Sequence, residues 1–158
     1  MKKFTAMILL LCLLLTGCAD KIKEPVTFYY IRADYPEDMQ NVIVSEQRES
    51  SGHREDLSYL MALYFMGPAA DDLVSPIPKG VSLLHVSREA GHITLELSVT
   101  ERSMSDSEFS LACACLCLTC MDITQADSVT VNSGSRSVTM TADTLVPQDS
   151  CTATKETR

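Results

Sequence analysis

Residues 105–123 constrain this chain more than any other stretch. Ser105 and Glu108 form a Ser-x-x-Glu capping box, and Met104 with Phe109 occupies the positions of a hydrophobic staple. A helix is therefore expected to start at Ser105 and run to about Asp122. At ~100° per residue, Phe109, Ala112, Cys113, Leu116, Cys117, Cys120 and Ile123 fall on one face. The other side carries Leu111, Cys115 and Leu118 at i, i+4, i+7 spacing, with Asp122 at their end. A helix lying on one face of a sheet ordinarily turns a polar side to water. One that is apolar on both sides needs a second cover, either from the same chain (the first helix or the C-terminal tail) or from a partner. Leu111, Cys115 and Leu118 are thus a candidate interface for self-association or for another protein, a setting whose centre excludes charge.

Four of the chain's 7 cysteines lie in residues 113–120. Free cysteine behaves as a small hydrophobe and is among the most buried residue types. Core packing therefore accounts for Cys113, Cys117 and Cys120 without further chemistry. The alternative is a metal site on the same three thiols. Zinc takes four ligands in tetrahedral array, usually from two separate segments. Here one helical face offers three, Cys115 points elsewhere, and His53, His85 and His92 are scattered. The sequence thus implies no cofactor.

The chain begins with Lys2 and Lys3, followed by an almost unbroken apolar run from Phe4 to Leu15. That run is about a dozen residues, of signal-peptide length and short of the ~20 that span a bilayer. Leu15-Thr16-Gly17-Cys18 follows directly and looks like a bacterial lipobox, in which cleavage leaves the cysteine as the lipidated first residue. The expected organisation is a signal peptide at 1–17, a lipidated anchor and short linker at 18–24, one domain at 25–147 and a polar tail at 148–158. A diacylglyceryl group on Cys18 supplies two chains and anchors stably, where one chain holds only marginally. The six residues between Cys18 and Pro25 span at most ~20 Å, so the domain is expected to sit close to the outer face of the cell membrane. With Cys18 lipidated and the leader removed, five cysteines remain, an odd number that argues against a disulfide framework.

Removal of the leader leaves 11 Lys and Arg against 21 Asp and Glu, a net charge of −10. So acidic a chain has no basic stripe for nucleic acid. It also shows no Gly-rich phosphate loop, GxSxG or HExxH. Asp71-Asp72 and Glu55-Asp56 are adjacent acids in polar segments, which are usually solvated. Nothing marks the chain as an enzyme.

Strands are expected at Val26–Arg32, which is rich in β-branched and aromatic residues, and at Asn41–Glu46. Leu57, Leu60, Met61 and Tyr64 have helical spacing, and Gly67-Pro68 ends that helix. Val81–Ser87 and His92–Ser98 flank a turn at Arg88–Gly91. Ile93, Leu95, Leu97 and Val99 face one way there, and Thr94, Glu96 and Ser98 the other. Ser128–Val131 and Val138–Thr141 bracket Asn132-Ser133-Gly134 as a closing hairpin. The order is β-β-α-β-β-α-β-β. It predicts an α+β sandwich with two helices on one face of an antiparallel or mixed sheet.

These pieces, taken in order, resemble the GerMN domain, found in bacterial envelope proteins linked to sporulation and spore germination. The residues that carry the likeness are Thr27-Phe28-Tyr29-Tyr30, Met66-Gly67-Pro68-Ala69, Ile77-Pro78-Lys79-Gly80, the hairpin around Gly91, Leu118-Thr119, and Val129-Thr130-Val131-Asn132-Ser133-Gly134. In that family the second helix is apolar where this chain has Cys117 and Cys120. Two features depart from the pattern. The loop after that helix reads Thr124-Gln125-Ala126 without a glycine, and the strand before Gly134 is one residue short. The resemblance implies a compact domain similar to the ring-building motifs of secretion assemblies. It further implies an interaction or scaffold module rather than a catalyst, carried by a lipoprotein of a spore-forming Gram-positive bacterium. A solute- or metal-binding envelope lipoprotein using the Cys113–Cys120 helix is the alternative.

Overall fold

The computed structural model describes residues 23–34, 42–99 and 104–144. The leader at 1–17, Cys18 and the tail with Cys151 lie outside the described residues. The elements in chain order are β1 (Pro25–Arg32), β2 (Ile43–Glu49), α1 (Leu57–Phe65), β3 (Leu73–Val74), β4 (Leu83–Glu89), β5 (His92–Leu97), α2 (Asp106–Thr124), β6 (Ser128–Ser133), β7 (Arg136–Thr141) and a 3-10 turn (Ala142–Thr144). This is the expected α+β order with the two-residue β3 added. β2 begins and ends later than its sequence pattern suggested.

The strands divide into two sheets, of order β2-β1-β3 and β4-β5-β6-β7. In the first, β1 runs antiparallel to β2 along its whole length, while β3 pairs only with Ile31 and Arg32. Val26, Phe28 and Tyr30 alternate into the core, where the Tyr30 and Tyr64 rings stack with centroids 4.8 Å apart. In the second sheet, β4–β5 and β6–β7 are antiparallel and β5–β6 is parallel. The parallel pair follows from the chain path, because α2 is the crossover between β5 and β6. The turns are tighter than the sequence suggested. Ala90-Gly91, both at positive φ, joins β4 to β5, and Gly134-Ser135 joins β6 to β7. Ile93, Leu95 and Leu97 are buried as expected. Val99, assigned to the same face, lies past the end of β5 and is 71% exposed.

α2 starts as its sequence dictates. Ser105 Oγ accepts from the Glu108 N–H, the Glu108 carboxylate accepts from the Ser105 N–H at 2.8 Å, and Met104 and Phe109 are both buried. Arg136 of β7 anchors this end. Its guanidinium donates to the Met104 carbonyl at 2.9 Å and lies 4.6 Å over the Phe109 ring. At the far end Gln125 adopts the left-handed conformation, φ 55°, where such caps usually place glycine. The exposed carbonyls still find donors: Gln125 N–H on Met121, Gln125 Nε2 on Asp122 and Arg88 on Thr124. By length and composition α2 could cross a membrane, but it packs against β1, β6 and β7 as the central core helix.

Candidate interaction surface and the cysteine helix

The first sheet explains the doubly apolar helix. β3 leaves most of the outer edge of β1 unpaired, and the two helices close it with side chains. The Tyr29 N–H donates to Thr119 Oγ1 of α2 at 3.0 Å, and the Tyr64 hydroxyl of α1 donates to the Tyr29 carbonyl at 2.9 Å. α2 is therefore covered from β6 and β7 on one side and from β1 on the other. Its buried residues are Phe109, Ala112, Cys113, Cys115, Leu116, Cys117, Thr119 and Cys120. At ~100° per residue they sweep an arc of about 200°.

That arc changes the candidate interface. Cys115 is fully buried and cannot belong to a contact surface. It lies at the margin of the arc, on the side covered by the first sheet and α1, within electrostatic reach of Tyr64. Leu111 and Leu118 are half-buried, as is Ala114 between them, and none of the three packs against the core cluster. Exposed Ser107, Ser110, Asp122 and Gln125 border them. Burial thus removes Cys115 from the expected set, and the half-buried apolar residues on that side of α2 are Leu111, Ala114 and Leu118. The sequence could not settle this, because Cys115 sits only ~40° from Leu111 on the wheel and the width of the covered arc is a tertiary property.

The four thiols have separate surroundings. Cys117 Sγ is 3.9 Å from the Val129 carbonyl of β6, and Cys120 Sγ is 3.4 Å from Met61 Sδ of α1. Cys113 feels the Arg136 charge, which opposes only part of its burial. Burial pushes Cys113, Cys115 and Cys120 from 9.0 up to about 12. It drives Cys117 up too, with Cys120, Cys113 and Cys115 adding to the shift. Thiols held protonated by burial are poor nucleophiles, because attack requires the thiolate. Among the described residues no three of His, Cys, Asp and Glu come together to hold a metal ion. Cys113, Cys117 and Cys120 do not form such a group. The histidines are apart as well: His53 stacks on Tyr59, His92 meets Ser128 Oγ at 2.7 Å, and His85 is exposed on β4. Of the paired acids, Asp56 caps α1 by accepting from the Tyr59 N–H, and Glu55, Asp71 and Asp72 are exposed.

A second open feature is a groove of about 680 Å³ with a mixed polar and apolar lining, between α1 (Ser58, Ala62, Phe65) and the edge strand β4 (Leu84, His85, Val86) with Ser82 before it. Leu84 is 67% exposed there. A register shift between Leu83 and His85 breaks the β4 ladder, and bulges of this kind protect edges against strand addition.

The loop at Met66-Gly67-Pro68-Ala69 is pinned from β2. Glu46 Oε1 accepts from the Ala69 and Ala70 N–H groups at 2.9 and 2.8 Å, and Arg48 donates to the Gly67 carbonyl at 2.9 Å. Neither residue stood out in the sequence; two charges at i, i+2 in a strand opposite a Gly-Pro loop were the available signal.

The Germane family, described as "Sporulation and spore germination", matches residues 27–139. Among solved structures the chain is similar to the tandem GerMN domains of the sporulation protein GerM from Bacillus subtilis. Identity is 22% and the TM-score 0.50, over 77% of this chain and 43% of that one. The chain thus spans less than half of the tandem protein. A Clostridium perfringens protein designated a lipoprotein shares 16% identity over 80% of this chain and 94% of its own. Its TM-score is 0.47, too slight a likeness to bear on fold or function. No curated protein matches. The match over residues 27–139, on an α+β fold of two helices and two sheets, means that the chain belongs to the Germane (GerMN) family of sporulation and spore germination.

Proposed function

We propose that this protein is an extracytoplasmic lipoprotein, held to the cell membrane through Cys18, whose GerMN-type domain binds another envelope protein during sporulation or germination. The observation that carries the interaction role is the stripe Leu111–Ala114–Leu118. It is apolar, half-exposed and outside the core contacts of an otherwise well-covered helix. Singly exposed apolar residues need no explanation, but an aligned row rimmed by polar side chains is the usual form of a contact site. The partner is a protein other than a second copy. Two chains each carrying about ten surplus negative charges repel on approach, whereas a neutral or basic partner does not. The role is one of binding or scaffolding rather than catalysis, which agrees with thiols kept protonated in the core.

The test replaces Leu111 and Leu118 together by Glu. Both lie outside the core cluster, so the double variant should unfold within about 1 kcal/mol of the parent. The envelope proteins retained by the parent on an affinity column should be lost from the variant. A folded variant that retains the same proteins would refute the stripe. Loss of a dimer in sedimentation would show that a second copy is the occupant. Anchoring is tested separately with Cys18→Ser, which should leave the membrane fraction; a correctly processed variant that stayed there through salt washing would rule out lipidation at Cys18.

A further inference from the structure

The role proposed above makes no use of the four thiols, although a single 19-residue helix holds all of them and each is completely buried. They are free and form no bond with one another. Their packing keeps two of the sulfurs apart, with Cys117 turned to Val129 in β6 and Cys120 to Met61 in α1. Cys115 is within electrostatic reach of Tyr64, and Cys113 of Arg136. A disulfide between any two would pull at least one sulfur out of its packed position. A small-molecule thiol attached to any one would need space where the side chain has no exposed surface. In the unfolded chain none of this applies. Cysteines two to seven positions apart then close small loops at little entropic cost, and their thiols ionise at the ordinary value and attack disulfides.

We propose that the cysteine helix makes folding of this protein conditional on reduction: the chain folds only while Cys113, Cys115, Cys117 and Cys120 remain thiols, and the folded core then keeps them reduced. The competing reaction needs a disulfide oxidant, here oxidised glutathione. One cysteine thiolate attacks it and releases a molecule of reduced glutathione. A second cysteine thiolate then attacks the mixed disulfide and releases another. Two protein thiols are oxidised to one disulfide, one glutathione disulfide is reduced to two thiols, and the two protons pass to the released glutathione. The consequence in the cell rests on the extracytoplasmic location, where oxidants are met; the folding behaviour itself does not.

The full chain carrying Cys12→Ala, Cys18→Ala and Cys151→Ala keeps only the helix thiols. Unfolded in urea and diluted into reduced glutathione, it should regain its tyrosine near-ultraviolet dichroism almost fully. In oxidised glutathione recovery should fall at least fivefold, with disulfides or glutathione mapped by mass spectrometry to residues 113–120, and dithiothreitol should restore it. Oxidised glutathione added to the folded protein should leave all four thiols unmodified over the same hours. Equal recovery in both buffers overturns the proposal. So does a disulfide within 113–120 in a chain that regained its native spectrum, or reaction of the folded thiols as fast as in urea. If the three substitutions themselves disturb folding, the unsubstituted chain, mapped peptide by peptide, decides between the same outcomes. Because no membrane is involved, a failure here leaves the anchoring and partner experiments to stand or fall alone.

Discussion

Thr119→Val is the substitution that most directly tests how the two layers are joined. Thr119 is fully buried, and its Oγ1 accepts the Tyr29 N–H at 3.0 Å at a point on β1 that β3 does not reach. Valine has nearly the same shape, so no cavity opens and the β-branched preference is unchanged. What is lost is the acceptor, leaving a partly buried backbone donor with no partner, at a cost of about 1–3 kcal/mol. Taking ~2 kcal/mol, the midpoint of thermal unfolding should fall by roughly 6–10 °C for a domain of this size. Thr119→Ser supplies the control. It keeps the oxygen and gives up one methyl, for about 1 kcal/mol. The expected order of stability is parent, then Ser, then Val, whereas hydrophobicity alone would place Val first and Ser last. Urea titration followed by far-ultraviolet dichroism, with slopes checked for constancy, measures all three. Tyr64→Phe removes the donor to the Tyr29 carbonyl and should couple to Thr119→Val by at least ~0.5 kcal/mol in a double-mutant cycle. Valine as stable as threonine, or more stable than serine, would refute the reading that α2 closes the β1 edge.

The remaining expectations can be checked on the same purified protein. Cys120→Ala should cost about 1 kcal/mol by losing the sulfur packed on Met61. Cys120→Ser should cost more, because its hydroxyl is buried among apolar groups; equal midpoints for both variants and the parent would remove Cys120 from the core. Gln125→Gly should stabilise by up to about 1 kcal/mol. It relieves a left-handed residue worth ~1–2 kcal/mol, less the added freedom of glycine in the unfolded chain and the exposed bond from Gln125 Nε2 to the Asp122 carbonyl; a midpoint lowered by more than that bond is worth would contradict the cap geometry. Beside Tyr30 and Tyr64, whose values burial also raises, the thiols contribute to the loss of stability at alkaline pH. Their folded values are raised from 9.0 to about 12, so the unfolded chain loses protons first as pH rises. Stability is full below about pH 9 and falls towards pH 12, and Cys113→Ala should reduce that slope by up to one proton, about 1.4 kcal/mol per pH unit.

Which parts of this protein were legible in its sequence follows from the range of the interaction that fixes each. The start of α2 was readable because a capping box and a staple are made by residues three to five apart, and the side chains at Ser105, Glu108, Met104 and Phe109 do what that spacing implies. The alternation of Ile93, Leu95 and Leu97 was equally plain, since one covered face imposes a period of two. Val99 continued the pattern but not the strand, because nothing local marks where β5 ends. Gln125 took the left-handed conformation at the C-cap although no glycine announced it. The burial of Cys115 belongs to a longer range again. A helical wheel orders residues by angle and says nothing of how wide an arc other layers will cover. Here the arc widened because β1, more than seventy residues away in sequence, offers its unpaired edge to Thr119. With that arc known, the apolar residues of α2 separate into two kinds. The cysteines belong to the core, and what remains unexplained by packing is Leu111, Ala114 and Leu118. The stripe can therefore be told apart from the core only after the fold has accounted for the residues around it.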